Sequence, residues 1–202
     1  MDNTTLKNIF DFLENKENKK NKNKATLRWK LFFNQPLTKD DLIVKENLDL
    51  ANLKITSLPE GLEVGGSLYL TNCTSLTSLP EGLKVGGSLD LYNTKIKSLP
   101  NGLEVGHDLD LRNCKSLTSL PEGLKVGENL ELINCTSLTS LPEGLEVGWF
   151  LSLQNCTSLT SLPKGLKVGG GLNIYKTELT NYPNSKLKKM IQLGFIKGEI
   201  YR

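Results

Sequence analysis

A Leu-Pro pair, Tyr-Pro at its last appearance, returns along this chain at an almost constant interval, and that interval limits the possible folds more than any other feature. Pro59, Pro80, Pro100, Pro121, Pro142, Pro163 and Pro183 lie 21, 20, 21, 21, 21 and 20 residues apart. The same phrase recurs around them, most fully as N-C-T-S-L-T-S-L-P-E-G-L from Asn72 to Leu83, followed by Lys84-Val-Gly-Gly-Ser-Leu-Asp-Leu91. So regular a period means a solenoid of stacked coils, held together by contacts between neighbours.

One coil reads in three parts. Leu89-Asp-Leu91 alternates as a short strand, its leucines inward and Asp90 outward. A turn through 93–96 leads to Leu99-Pro100, and 101–106 bring the chain back beneath the next strand. A period this short leaves no room for a helix. The return leg is therefore expected to be extended or polyproline-like, since proline fixes φ near about −65° and pushes the residue before it out of the α region.

Leu109-x-Leu111-x-x-Cys114, with Leu117 and Leu120-Pro121 following, resembles the strand motif L-x-x-L-x-L-x-x-N/C-x-L of the leucine-rich repeat family. The likeness covers residues 40–184, and the short period with its L-P-E-G-L turn looks most like the bacterial and phage type. Two departures stand out. Val-Gly replaces the usual leucine ahead of the first strand leucine, and Cys follows Asn where the family has one or the other. The resemblance implies a leucine-rich repeat solenoid whose parallel strands line a concave binding face.

The ends leave the pattern. Leu6, Ile9, Phe10 and Leu13 make one apolar stripe on a short helix, and a Lys- and Asn-rich linker runs on to Lys24. Leu27, Trp29, Leu31, Phe32 and Phe33 then predict a packed N-terminal cap. Residues 39–50 align with the middle of the array as a degenerate first coil. After Pro183, Ser185 is placed to cap a helix running to Leu193, and Phe195-Ile-Lys-Gly-Glu-Ile-Tyr201 alternates like a last strand. The expected organisation is 1–24 helix and linker, 25–38 N-terminal cap, 39–184 repeat array and 185–202 C-terminal cap.

Comparing coils with one another separates scaffold from surface. The Leu-x-Leu pair, Leu-Pro and Val-Gly never change in the central coils and are read as structural. Glu63, Lys84, Glu104, Lys125, Glu146 and Lys167 alternate in sign, so stacked strands place each charge between opposite charges and resist a slip by one coil. Cys73, Cys114, Cys135 and Cys156 share one position, with Thr94 and Thr177 in the same place. The family resemblance turns this column inward as reduced thiols. Strand parity would instead bury Asn72, Asn93, Asn113, Asn134 and Asn155, and the two readings stand side by side.

What varies is the outward strand face. It carries Tyr69 and Thr71; Asp90 and Tyr92; His107, Asp108, Asp110 and Arg112; Glu128, Asn129, Glu131 and Ile133; Trp149, Phe150, Ser152 and Gln154; Asn173 and Tyr175. Trp149-Phe150 replaces pairs such as Gly-Gly or Gly-Ser, and such aromatic anchors beside Ile133 and Tyr175 point to a protein interface. Asp49, Asp90, Asp110 and Glu131 run alongside as an acidic stripe, which favours a partner with a basic rim and disfavours nucleic acid.

The expected role is a non-enzymatic protein-binding scaffold, monomeric or a weak homodimer. Its only histidine, His107, has Asp108 and Asp110 nearby but no identifiable nucleophile. The cysteines lack paired metal-ligand spacing, and neither metal nor cofactor is expected. The alternative is a nucleic-acid or acidic-surface binder working through Lys16 to Lys30 and Lys186 to Lys189. A net charge of +3 names no partner. With neither a long apolar span nor the features of a signal peptide, the chain is expected to be cytoplasmic.

Overall fold

The computed structural model describes the backbone of residues 22–202 and the side chains of 27–202. The stripe at Leu6, Ile9, Phe10 and Leu13 and the lysines up to residue 20 lie outside the described residues.

Each coil contributes two short strands, and each set stacks on its own. Ile43–Val44, Glu63–Val64, Lys84–Val85, Glu104–Val105, Lys125–Val126, Glu146–Val147, Lys167–Val168 and Phe195–Ile196 form one eight-stranded parallel sheet, here called the return sheet. Leu48–Asp49, Leu68–Tyr69, Leu89–Asp90, Leu109–Asp110, Leu130–Glu131, Leu151–Ser152, Leu172–Asn173 and Ile200–Tyr201 form a second, the face sheet. The chain is a parallel β-solenoid.

Of the two courses expected for the return leg the extended one is found, since Glu104–Val105 is a strand that pairs in register with both neighbours. The glycine that follows each valine from Val64 to Val168 is what allows it. A Cβ on Gly127 would collide with the carbonyl oxygen of Gly106, so only a bare backbone lets the coils approach here. The alternating charges face one another in this sheet, with Lys84 Nζ 2.6 Å from Glu63 Oε1 and Lys167 Nζ 2.7 Å from Glu146 Oε1.

Two tight turns of the same kind close each coil. Leu124 N–H donates to Pro121 O at 3.4 Å, with Gly123 at φ 72°, as the third position of a type II turn requires. Cys114 N–H donates to Leu111 O at 3.0 Å, with Asn113 at φ 62°. Asparagine tolerates this left-handed conformation better than most residues. The positive φ breaks strand alternation, so Leu111 and Cys114 both point inward and Asn113 stays at the rim. This decides between the two columns in favour of cysteine: Cys73, Cys114, Cys135 and Cys156 are buried, as are Thr94 and Thr177.

The core is a ribbon of inward side chains. Between one Leu-x-Leu and the next valine, Leu109, Leu111, Cys114, Leu117, Leu120, Leu124 and Val126 are all buried, and the neighbouring coils repeat the set. Each leucine contributes roughly 1.5–3 kcal/mol by leaving water. Because every coil lies on its neighbour, the loss of one interface exposes two apolar faces.

At the N-terminal end the helix Lys22–Phe32 (α1) runs across the boundary expected between residues 24 and 25. It inserts Leu27, fully buried, against the first coil. Arg28 donates to the backbone carbonyls of Asp49 and Ala51, which form the outer edge of the face sheet. At the other end the helix Asn184–Ile191 (α2) starts directly after Pro183, with Ser185 inside it rather than capping it. It stops at Ile191, short of Leu193, and buries Leu187 and Ile191. Residues 195–201 form two strands instead of one, bent at Lys197-Gly198, so the last rung enters both sheets.

Candidate functional site

The face sheet and the bend beside it present the varied side chains in three parallel files. The first lies at the bend, where Gly66, Gly87, His107, Glu128, Trp149 and Gly170 are linked by backbone hydrogen bonds from each residue to the one before. Glu46 precedes Gly66 in this file, and the glycines Gly66, Gly87 and Gly170 leave the three central side chains standing clear. Trp149 is 63% exposed, and His107 Nδ1 lies 2.8 Å from Glu128 Oε1.

The second file is the outward strand position: Asp49, Tyr69, Asp90, Asp110, Glu131, Ser152, Asn173 and Tyr201, each in register with the next. Its acids are less free than the sequence suggests. Asp49, Asp90 and Asp110 each accept the backbone N–H two residues on, at 2.8–2.9 Å, as does Asn173. Such turns explain why Asp or Asn recurs at this position. Asp110 also takes a forked contact from Arg112, with Nε 2.9 Å and Nη2 2.6 Å from Oδ2, and Asp90 accepts the Thr71 hydroxyl at 2.5 Å.

Glu131 differs. Burial pushes its carboxyl above the usual range; Arg112 pulls it down, while Asp110 and Asp108 add to the rise. Like charges on adjacent rungs repel, and here Arg112 is the cation that offsets Asp90, Asp110 and Glu131 together. With Arg28 Nη1 3.5 Å from Asp49 Oδ1 and Arg112 on Asp110, the four carboxylates of the stripe still outnumber the arginines paired with them.

The third file holds Thr71, Tyr92, Arg112, Ile133, Gln154 and Tyr175, whose carbonyls accept from the asparagine column of the preceding coil. Arg112 stacks its guanidinium 5.4 Å from the Tyr92 ring centre, while Ile133 is half-buried and Tyr175 exposed.

The expected aromatic patch is therefore divided. Phe150 is half-buried, and its ring centre lies 5.9 Å from that of Tyr201, so Trp149 alone stands free of the pair. Between Phe150 and the third file runs the column Glu131, Ser152 and Asn173, since the strand Leu151–Ser152 lies between Phe150 and Gln154 along the chain. Ser152 is buried rather than outward-accessible. Ile133 and Tyr175 thus flank the acidic stripe on the side away from Trp149.

Sequence reading missed Tyr201, which faces the same way as Asn173. Its signal was the second half of the last rung, taken as the tail of a single strand. A groove of about 700 Å³ along the return sheet is lined by Glu104, Lys125, Glu146, Lys167, Phe195 and the Val-Gly backbone, and contains none of the expected site residues.

Among the described residues no cluster of His, Cys, Asp or Glu is placed to hold a metal ion, and no helix is long and apolar enough to cross a membrane. The four cysteines are free thiols. Compared with protein-family models, curated proteins and solved structures, the chain finds no match in any of the three.

Proposed function

We propose that this chain is a leucine-rich repeat protein of the short bacterial and phage type, acting as a non-enzymatic scaffold that binds a protein partner on its varied strand face. The L-P-E-G-L turns and the Leu-x-Leu strands support the family reading, and four free buried thiols fit a reducing, cytoplasmic setting. In this reading α1 is the N-terminal cap, and α2 with the last rung forms the C-terminal one. One observation carries the functional claim. Trp149 stands 63% exposed with a bare Gly170 on the next rung, next to a carboxylate stripe whose four acids outnumber Arg28 and Arg112, the arginines paired with it.

The fitting partner offers an apolar side chain to Trp149 and lysine or arginine to Glu131 and Asp90. Tyr69, Tyr92, His107, Asp110, Arg112, Ile133 and Tyr175 set the shape around these anchors. A displayed peptide library tests this directly. Enriched peptides should combine an aromatic or aliphatic centre with basic flanks and should lose binding at least about tenfold with Trp149→Ala or Glu131→Gln. The alternative, binding to nucleic acid or an acidic surface through the basic N-terminal segment, predicts salt-dependent retention on heparin that vanishes when the lysines of residues 16–24 are replaced. Retention of that kind, with no peptide enrichment, would overturn the scaffold reading.

A further inference from the structure

The last rung of the solenoid has a chemical symmetry that no other rung shares. Phe195-Ile-Lys-Gly-Glu-Ile-Tyr201 reads as aromatic, isoleucine, cation, glycine, anion, isoleucine, aromatic. Gly198 is its centre and sits at the bend between the two sheets, with Phe195–Ile196 on one side and Ile200–Tyr201 on the other.

Among the described residues, nothing pairs with the outer edges of these two strands. Phe195 and Lys197 donate their N–H groups back to Leu166 O and Val168 O, so the N–H and C=O of Ile196, between them, point away from the stack. Glu199 O and Tyr201 O accept from Leu172 and Ile174, so the backbone groups of Ile200 also point outward. The apolar cover is incomplete here as well. Val168 and Leu172 one rung below are fully buried, whereas Ile196 and Ile200 are partly exposed, as are Phe195, Tyr201 and, at 95%, Leu193. The opposite end of the solenoid differs, because Leu27 packs on the first coil and Arg28 occupies the edge carbonyls of Asp49 and Ala51.

We propose that the occupant of this end is a second copy of the same chain, docked tail to tail about a two-fold axis through Gly198. Such an axis lies in the plane of the end face and bisects the bend, so it carries each sheet's last strand onto the other sheet's, antiparallel. Ile196 then faces Ile200 of the partner copy, and because the backbone groups of both point outward, they exchange both hydrogen bonds of an antiparallel pair. The same operation sets Lys197 opposite the partner's Glu199, and Phe195 opposite its Tyr201, twice over. Isologous contacts demand this kind of self-complementarity, with each residue meeting its chemical complement. The free edges become paired, which removes the hazard of unpaired strands at an exposed sheet end.

Sedimentation velocity on the full chain, from micromolar to millimolar concentration, tests the proposal. The wild type should show a monomer–dimer equilibrium. Lys197→Glu and Glu199→Lys, each placing like charges opposite one another at both contacts, should each weaken the dimer at least about tenfold. The charge-swapped double variant should restore it. The decisive arm mixes the two single variants: each alone is weak, but together they pair as a heterodimer, since one supplies two glutamates and the other two lysines. Far-UV circular dichroism, with thermal midpoints that agree at a dilution where every form is monomeric, confirms that each variant is folded. A wild type that stays monomeric throughout, or single variants that dimerise as well as wild type, would overturn the two-fold contact. So would loss of the dimer on replacing Ile9 and Phe10 by aspartate, which would make the N-terminal segment the occupant.

Discussion

The ring of Phe150 packs against that of Tyr201, their centres 5.9 Å apart and their planes tilted by 49°. Neighbouring in sequence, Trp149 and Phe150 consequently do different jobs, one displayed at the bend and the other holding the last rung to the rest of the stack.

Their alanine variants should separate accordingly. Trp149→Ala is expected to leave stability within about 0.5 kcal/mol of wild type, as for an exposed surface position. Phe150→Ala should lose roughly 1–3 kcal/mol, below the cost of a fully buried phenylalanine because the ring is only half-covered. Urea unfolding of both variants measures this, and equal losses would mean that Trp149 is also part of the packing.

The asparagine column invites a test of backbone against side chain. Asn134 sits at φ 64° and donates from Nδ2 to Asn113 Oδ1 at 2.7 Å, while Asn155 donates to Asn134 at the same distance. Asn134→Ala loses both amide bonds and also places a Cβ-bearing residue without local polar compensation in the left-handed region, which costs about 1–2 kcal/mol. Asn134→Gly loses the same bonds without that strain. The glycine variant should therefore be the more stable of the two by about 1 kcal/mol in chemical denaturation, against the usual order for β-structure.

The cysteines should be silent until the coils open. Each thiol donates into a leucine carbonyl of the preceding coil, as Cys156 does to Leu132 O at 3.1 Å. Burial pushes Cys156 up to about 12 and raises the Cys135 thiol as well. Since the thiolate is the reactive form, alkylation of the native protein at pH 8 should be at least about a thousandfold slower than in urea. The linkage runs toward alkaline instability: a thiol with a raised folded pKa stabilises the fold below its ordinary value of about 8.5 and loses that contribution as pH rises toward 12. Denaturation midpoints should fall between pH 8 and 11, and Cys135→Thr with Cys156→Thr should flatten the fall, because threonine already fills this position at Thr94 and Thr177.

At the N-terminal end, acid should act through Asp41. This buried carboxylate accepts Lys30 Nζ at 2.6 Å, the Thr38 N–H at 2.6 Å and the Thr38 hydroxyl at 2.7 Å. Burial alone would raise it, but the Lys30 and Thr38 bonds together hold it below the usual carboxylate range. A depressed folded pKa gives stability that is present above the unfolded value of about 3.9 and lost as pH falls through the folded one. Asp41→Asn should cost about 1–3 kcal/mol at pH 7. Wild type and variant should converge in urea midpoint as pH drops below that range; a constant gap would mean that the charge of Asp41 does not matter.

The period, the inward leucines and the alternating ladder of Glu and Lys were all readable from the chain, because identical coils must stack in register and repetition exposes which positions are structural. Local chemistry left other points open. Asn113 and Cys114 are adjacent, and alternation buries the first of them; only the left-handed turn, which satisfies the Cys114 N–H with Leu111 O, reverses that order. The second sheet was hidden for a related reason, since two-residue strands such as Glu104–Val105 carry almost no periodicity of their own and exist through pairing with the coils on either side. The division of the aromatic patch, the use of Asp90 and Asp110 within their own turns, and the open last rung all depend on which coil lies against which. Sequence determined what one coil is made of; contacts between coils, distant along the chain and about 4.8 Å apart in space, decided what each side chain does.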